Sequence, residues 1–120
     1  MLSDDELLRY SRQILMPRFD IAGQEKLQSA RVLVIGAGGL GCPVALYLGA
    51  AGVGTLTLVD DDNIELANLQ RQIGFETSQL GESKAESLAD RMRRINPLVS
   101  VIALNQRLEG EALTRKVAEA

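Results

Sequence analysis

The sequence predicts an α/β fold of the Rossmann type, in which a parallel sheet lies between layers of helices and a helical segment precedes it. Two short uncharged runs, VLVIG at 32–36 and TLTLV at 55–59, flank an apolar helical pattern, which is typical of one βαβ unit in a buried parallel sheet. Gly36, Gly38 and Gly41 form the pattern G-x-G-x-x-G where the first strand meets that helix. The apolar fraction of 46% and the charged fraction of 24% are those of a globular domain.

The elements follow in alternating order along the chain. A first helix is predicted for SDDELLRYSRQIL, because Ser3 and Glu6 have the spacing of a capping box. It belongs to an N-terminal helical segment, residues 1–30, and the nucleotide-binding βαβ units occupy residues 31–120. The remaining predictions are a helix over 40–51, one short helical turn around 64–70, an amphipathic helix over 83–95, a third strand over 99–104 and a last helix over 109–120.

Three such units form only the first half of a doubly wound sheet, with a predicted strand order of 3-2-1. Ligands of these folds bind between the first strand and the first strand of the second half, so one wall of the site is not encoded here. We therefore expect the 120 residues to be the N-terminal part of a single domain in a longer protein.

Composition and charge pattern exclude several classes of function. The uncharged run from Val32 to Val59 is long enough to cross a membrane, but seven glycines and Pro43 interrupt it, and a parallel sheet explains it better. The net charge of −3 gives no electrostatic reason to expect nucleic acid as a partner. The acidic N-terminus is unlike a secretory signal, and the single cysteine, Cys42, forms no internal disulfide. A cytoplasmic protein is expected.

The glycine pattern predicts a site for phosphate groups. Such turns let the backbone approach phosphate closely, and the positive end of the following helix favours anions. Asp60 ends the second strand, where an acidic side chain accepts hydrogen bonds from ribose hydroxyls. An adenosine-containing ligand is therefore expected, and these residues alone leave both NAD(P) and ATP open.

Polar residues beyond Asp60 favour ATP. The stretch ANLQRQ at 67–72 contains Asn68, Gln70 and Arg71, while Lys84 opens the next helix and Arg12 lies in the N-terminal helix. Cations that converge on a triphosphate stabilise the charge that develops during phosphoryl or nucleotidyl transfer. The alternative for each basic residue taken singly is a solvated surface charge.

Four segments resemble the MoeB/ThiF family of bacterial ubiquitin-activating-like adenylyltransferases. These segments are RYSRQI at 9–14, GAGGLGCP at 36–43, the AGVG-x-L-x-L-x-D segment that ends at Asp60, and NLQRQ at 68–72. The resemblance implies ATP-dependent adenylation of the C-terminal glycine of a small ubiquitin-like sulfur carrier protein, MoaD in molybdopterin biosynthesis or ThiS in thiamin biosynthesis. The choice between the two carriers stays open.

The same resemblance implies roles for individual residues. Gly39 would lie against the nucleotide and Asp60 would hold the ribose, while Asn68, Arg71 and Lys84 would contact the phosphates. Gln70 belongs to the same motif. Arg12 would reach the γ-phosphate of the neighbouring subunit, which implies a homodimer.

The family pattern continues beyond these residues. It includes an aspartate on a fourth strand that helps to hold ATP and Mg²⁺, and cysteine pairs that bind structural zinc. Neither is encoded here, so the 120 residues alone are expected to be inactive.

Some residues invite other interpretations. Cys42 is expected to be a packing residue, and Asp61 and Asp62 to stabilise a turn rather than to hold a metal. Two alternative functions remain, an NAD(P)-binding oxidoreductase and a non-catalytic nucleotide-binding docking module.

Overall fold

Three parallel strands form the centre of the structure. The computed structural model describes residues 1–120. The strands are β1 (Arg31–Ile35), β2 (Thr55–Val59) and β3 (Ser100–Leu104), and β2 lies between the other two. This arrangement confirms the predicted order 3-2-1, and the outer edge of β1 has no strand beside it.

The N-terminal segment differs in detail from the single helix predicted for SDDELLRYSRQIL. The capping box of Ser3 and Glu6 is present, but the helix is divided at Tyr10 into α1 (Asp4–Arg9) and α2 (Ser11–Ile14). Tyr10 is only 5% exposed, and its hydroxyl accepts a hydrogen bond from Asn96 Nδ2 at 2.8 Å. The division at Tyr10 therefore coincides with a tertiary contact that helical periodicity does not reveal.

The other helices lie close to their predicted positions. After α3 (Asp20–Ser29), which no separate prediction covered, come α4 (Gly41–Ala51), α5 (Lys84–Ile95) and α6 (Gly110–Glu119). None of these helices combines the length and the apolar character that a membrane crossing requires.

The core lies between the sheet and the pair α4 and α5. Alternate residues of each strand face this pair, so Leu56 and Leu58 are completely buried. The cluster also includes residues of both helices and of the flanking strands, namely Val34, Ala45, Leu88, Met92 and Val101. On the opposite face, α6 contacts β1, and the end of α6 lines a small cavity with Leu33, Thr57 and Ile102, which gives the three layers that the sequence predicts.

The connection from β2 to α5 returns to the carboxyl end of β2. It contains two short 3₁₀ helices, Leu66–Asn68 and Thr77–Gln79, and the first confirms the predicted turn around 64–70. An antiparallel bridge joins Asn63 to Ser83, and the Ser83 side chain accepts the N–H of Glu86 as the cap of α5. The N-terminus of α5 is thereby held next to the end of β2.

Candidate functional site

The glycine-rich turn joins β1 to α4, and two of its glycines are required by the fold itself. Gly36 has φ of +98°, a left-handed conformation that other residues adopt with strain. A methyl group on Gly41 would overlap the carbonyl oxygen of Gly36. Gly36 is therefore required by its backbone conformation, and Gly41 by the lack of space for a side chain.

Gly38 and Gly39 have no such internal reason to be glycine. A Cβ at Gly38 would lie 3.5 Å from Gln72 Nε2, and one at Gly39 would lie 3.5 Å from Arg71 Nη1, which are ordinary contacts. The backbone N–H groups of Gly38, Gly39 and Leu40 donate no hydrogen bond within the protein. They lie at the N-terminus of α4, a helix of 11 residues, where free N–H groups and the helix dipole favour an anion.

Asp60 connects the end of β2 to this turn. Its Oδ2 accepts the N–H of Ala37 at 2.7 Å, and its Oδ1 accepts the N–H of Asp62 at 2.7 Å. Each carboxylate oxygen keeps a second lone pair, so Asp60 can also accept from a ligand hydroxyl. Asp60 and Gly36 line a cleft of about 360 Å³ beside the loop 106–109. Asp60 therefore lies directly beside the glycine turn.

A second cleft, which we call the polar cleft, brings together residues predicted from separate motifs. It has a volume of about 310 Å³, and every residue that lines it is polar or charged. The residues are Asp62, Asn63, Glu65, Asn68, Arg71, Gln72 and Lys84. The Arg71 guanidinium lies next to Gly39, so the cationic side of the polar cleft adjoins the free N–H groups of the glycine turn.

Lys84 is the most unusual group in this cleft. Its side chain is only 8% exposed, and its one ion pair is with Asp62, at 3.9 Å between Nζ and Oδ2. It is the first residue of α5, where the helix dipole disfavours a positive charge. A desolvated ammonium in such a position is typical of a functional site rather than of a solvated surface charge.

Two predicted site residues, Gln70 and Arg12, belong neither to the polar cleft nor to the glycine turn with Asp60. Gln70 is exposed and makes no hydrogen bond. Arg12 is exposed and unpaired in α2, which is held at the C-terminal end of α4 because Gln13 Nε2 donates to the carbonyl of Ala51 at 2.7 Å. Since α4 is about 16 Å long, Arg12 lies far from the glycine turn of its own chain.

Gln72 is a cleft residue that the sequence reasoning did not assign. It is 3% exposed, it packs beneath Gly38, and its Oε1 has no hydrogen-bond partner. The only signal was its place as the last residue of NLQRQ, since a pattern of residue types does not reveal burial.

Cys42 is a packing residue, as predicted. It is completely buried in the core cluster, and its Sγ donates to the carbonyl of Ala37 at 3.3 Å. Burial raises the pKa of the Cys42 thiol, and this effect outweighs the opposing influences of a hydrogen bond from Gly74 and of nearby Lys84. A thiol held neutral in this way is a poor nucleophile.

These features define the class of the protein. A glycine turn at the first strand and a carboxylate at the end of the second are features of a Rossmann-like nucleotide-binding domain. The polar cleft places Arg71 and Lys84 close to that turn. Comparison with known sequences identifies the family, because the ThiF family model matches residues 10–120. The chain belongs to the ThiF family.

Two curated relatives cover almost the whole chain. The molybdopterin-synthase adenylyltransferase of Salmonella typhimurium is 50% identical over 117 residues, which are 98% of this chain and 47% of the relative. The sulfur carrier protein ThiS adenylyltransferase of Escherichia coli is 50% identical over 119 residues, 99% of this chain and 47% of the relative. The chain thus spans about half the length of these relatives.

A solved structure has the same fold. The E. coli tRNA N6-threonylcarbamoyladenosine dehydratase TcdA, crystallised in complex with ATP, is 27% identical to this chain, with a TM-score of 0.91. The match covers 100% of this chain and 49% of TcdA.

Proposed function

We propose that this chain provides the nucleotide-binding half of an enzyme that uses ATP to adenylate the C-terminal glycine of a ubiquitin-like sulfur carrier protein. The observation that carries the proposal is the polar cleft. Asn68, Arg71 and Lys84 converge there beside the free N–H groups of the glycine turn. The two relatives, one named for molybdopterin synthase and one for ThiS, support the adenylyl transfer and the class of substrate equally.

Adenylation of a carboxylate requires little acid–base chemistry. The C-terminal carboxylate is ionised at neutral pH and attacks the α-phosphate without a general base, while pyrophosphate leaves. The chain contains no histidine, which is compatible with this reaction. The remaining requirement is alignment and neutralisation of the phosphate charge, for which Arg71, Lys84 and the N–H groups of the turn are suited.

The proposal assigns the remaining residues around this centre. Gly39 lies against the nucleotide, Asp60 accepts hydrogen bonds from the ribose hydroxyls, and Asn68 contacts the phosphates. Arg12 acts on the γ-phosphate bound by a second subunit, so the enzyme is a homodimer. The exposure of Arg12 and its distance from its own glycine turn are consistent with that assignment.

The carboxylates of this chain do not by themselves fit a magnesium ion. Asp60, Asp61 and Asp62 lie close together, but the Lys84 ammonium pairs with Asp62 and would repel a divalent cation there. Zinc has no ligand set here either, because the chain has one cysteine and no histidine. We expect both metals to depend on residues beyond this chain.

Carrier-dependent exchange of labelled pyrophosphate into ATP tests the proposal. The complete natural protein that carries this chain is incubated with a MoaD-type or a ThiS-type carrier, and exchange is expected with one of them. A carrier that lacks its terminal glycine is the matched control, and the 120 residues alone are expected to give no exchange. Failure of both carriers would contradict the proposed activity.

Thermal denaturation separates this proposal from an oxidoreductase. ATP is expected to raise the melting temperature of the complete protein at concentrations at which NAD has no effect. Stabilisation by NAD alone would contradict the assignment of ATP.

A further inference from the structure

The two side chains of the ion pair between Lys84 and Asp62 differ greatly in solvent exposure. Lys84 is nearly buried, whereas the side chain of Asp62 is 70% exposed. The ammonium depends on a nearby anion, because it is desolvated and lies at the positive end of α5. The carboxylate has no such dependence, because water solvates it when it turns away.

The backbone holds Asp62 at this position from both sides. The N–H of Asp62 donates to Asp60 Oδ1 at 2.7 Å, and the carbonyl of Asp62 accepts the N–H of Lys84 at 3.1 Å. These two hydrogen bonds fix the backbone of Asp62, and its carboxylate is thereby held within reach of Lys84 Nζ.

Asp62 also lies at the junction of the two clefts. It lines the cleft of Asp60 and Gly36, and it lines the polar cleft of Asn68, Arg71 and Lys84. A polyphosphate that extends from the first cleft to Lys84 passes this carboxylate.

We propose that Asp62 is the resident counter-ion of Lys84 and limits the affinity of the site for polyphosphates. It acts as a positioning residue, because it neutralises Lys84 in the free protein and gives way when phosphate oxygens replace it. After adenylyl transfer the carboxylate returns to Lys84 and promotes the release of pyrophosphate. This inference rests on the proposed function, since it requires the nucleotide phosphates to bind beside Lys84.

Binding of inorganic pyrophosphate and of ATP to the complete protein, measured by titration calorimetry without magnesium, tests the inference. Asp62→Asn removes the negative charge and keeps the shape. The dissociation constants of both ligands are expected to fall about fivefold, the effect of one like charge at about 4 Å through water. The gain is expected to shrink as the salt concentration rises.

Glu86→Gln is the matched control. Glu86 is exposed, lies in the same first turn of α5, and loses the same charge when substituted, but it does not line the polar cleft. The Glu86→Gln variant is expected to bind pyrophosphate and ATP as tightly as the wild type does. Asp62→Ser replaces Asp62→Asn if the latter does not fold.

The outcomes separate the two proposals. The wild-type protein is expected to bind both ligands. If the Asp62→Asn variant then binds them equally tightly or more weakly, the role of Asp62 is overturned and the proposed function is not. A wild-type protein that binds neither ligand would overturn both the role of Asp62 and the proposed function. Tighter binding supports the inference, because structural damage does not produce it.

Discussion

Substitution of Gly39 by alanine tests whether this glycine is needed for ligand binding or for the stability of the fold. The new Cβ would lie 3.5 Å from Arg71 Nη1, an ordinary contact, and Gly39 does not have a left-handed φ. The free energy of unfolding is therefore expected to change by less than about 1 kcal/mol, with a gain possible because alanine restricts the unfolded chain. The same methyl group would occupy the space that a phosphate needs beside the free N–H groups.

The dissociation constant for ATP is expected to rise at least about tenfold in Gly39→Ala, equivalent to about 1.4 kcal/mol. The matched control is Gly41→Ala, in which the methyl group would overlap the carbonyl oxygen of Gly36 and force the turn apart. Overpacking of this kind costs about 1–3 kcal/mol of stability.

Two measurements on the complete protein decide the outcome, namely urea denaturation for stability and titration calorimetry for ATP binding. Gly39→Ala is expected to be stable and to bind ATP weakly, whereas Gly41→Ala is expected to be unstable. If Gly39→Ala binds ATP as tightly as the wild type, the glycine turn does not contact phosphate as proposed. If it unfolds as easily as Gly41→Ala, the space inferred at Gly39 is absent.

Three further predictions concern other groups. Lys84→Met is expected to raise the dissociation constant for ATP at least about tenfold. The melting temperature is not expected to fall, because the substitution removes a buried charge. Unchanged affinity in calorimetry would contradict the role of Lys84. Arg12→Ala is expected to lower carrier adenylation by the complete protein. Mixing it with Lys84→Met subunits is expected to restore part of the activity, and no restoration in the pyrophosphate exchange assay would contradict a shared site. Burial raises the pKa of the Cys42 thiol above its ordinary value of 9.0, so the folded protein keeps this proton to a higher pH than the unfolded chain does. The resulting stabilisation is complete below pH 9.0 and is lost as the pH rises through the pKa of the folded state. Urea denaturation between pH 7 and pH 10 is expected to show a steeper loss of stability for the wild type than for Cys42→Ala, and parallel curves would contradict this.

Much of the fold follows from local patterns. VLVIG and TLTLV form strands within one residue of their predicted bounds, because β-branched runs between glycines suit a sheet that is buried. The amphipathic period of 83–95 located α5 in the same way, and the structure starts the helix one residue later because Ser83 is its N-cap. The division at Tyr10 escaped prediction, because it coincides with a contact to Asn96, 86 residues away in the chain.

The candidate site was only partly predictable. The sequence by itself determined the glycine turn and the carboxylate after the second strand, because both depend on the order of residues at the ends of adjacent strands. Only the tertiary structure decided that Lys84 is buried against Asp62, that Gln72 lies under Gly38, and that Arg12 is held at the far end of α4. Desolvation, ion pairing and distance arise from residues remote in the chain, and the order of residues does not specify them.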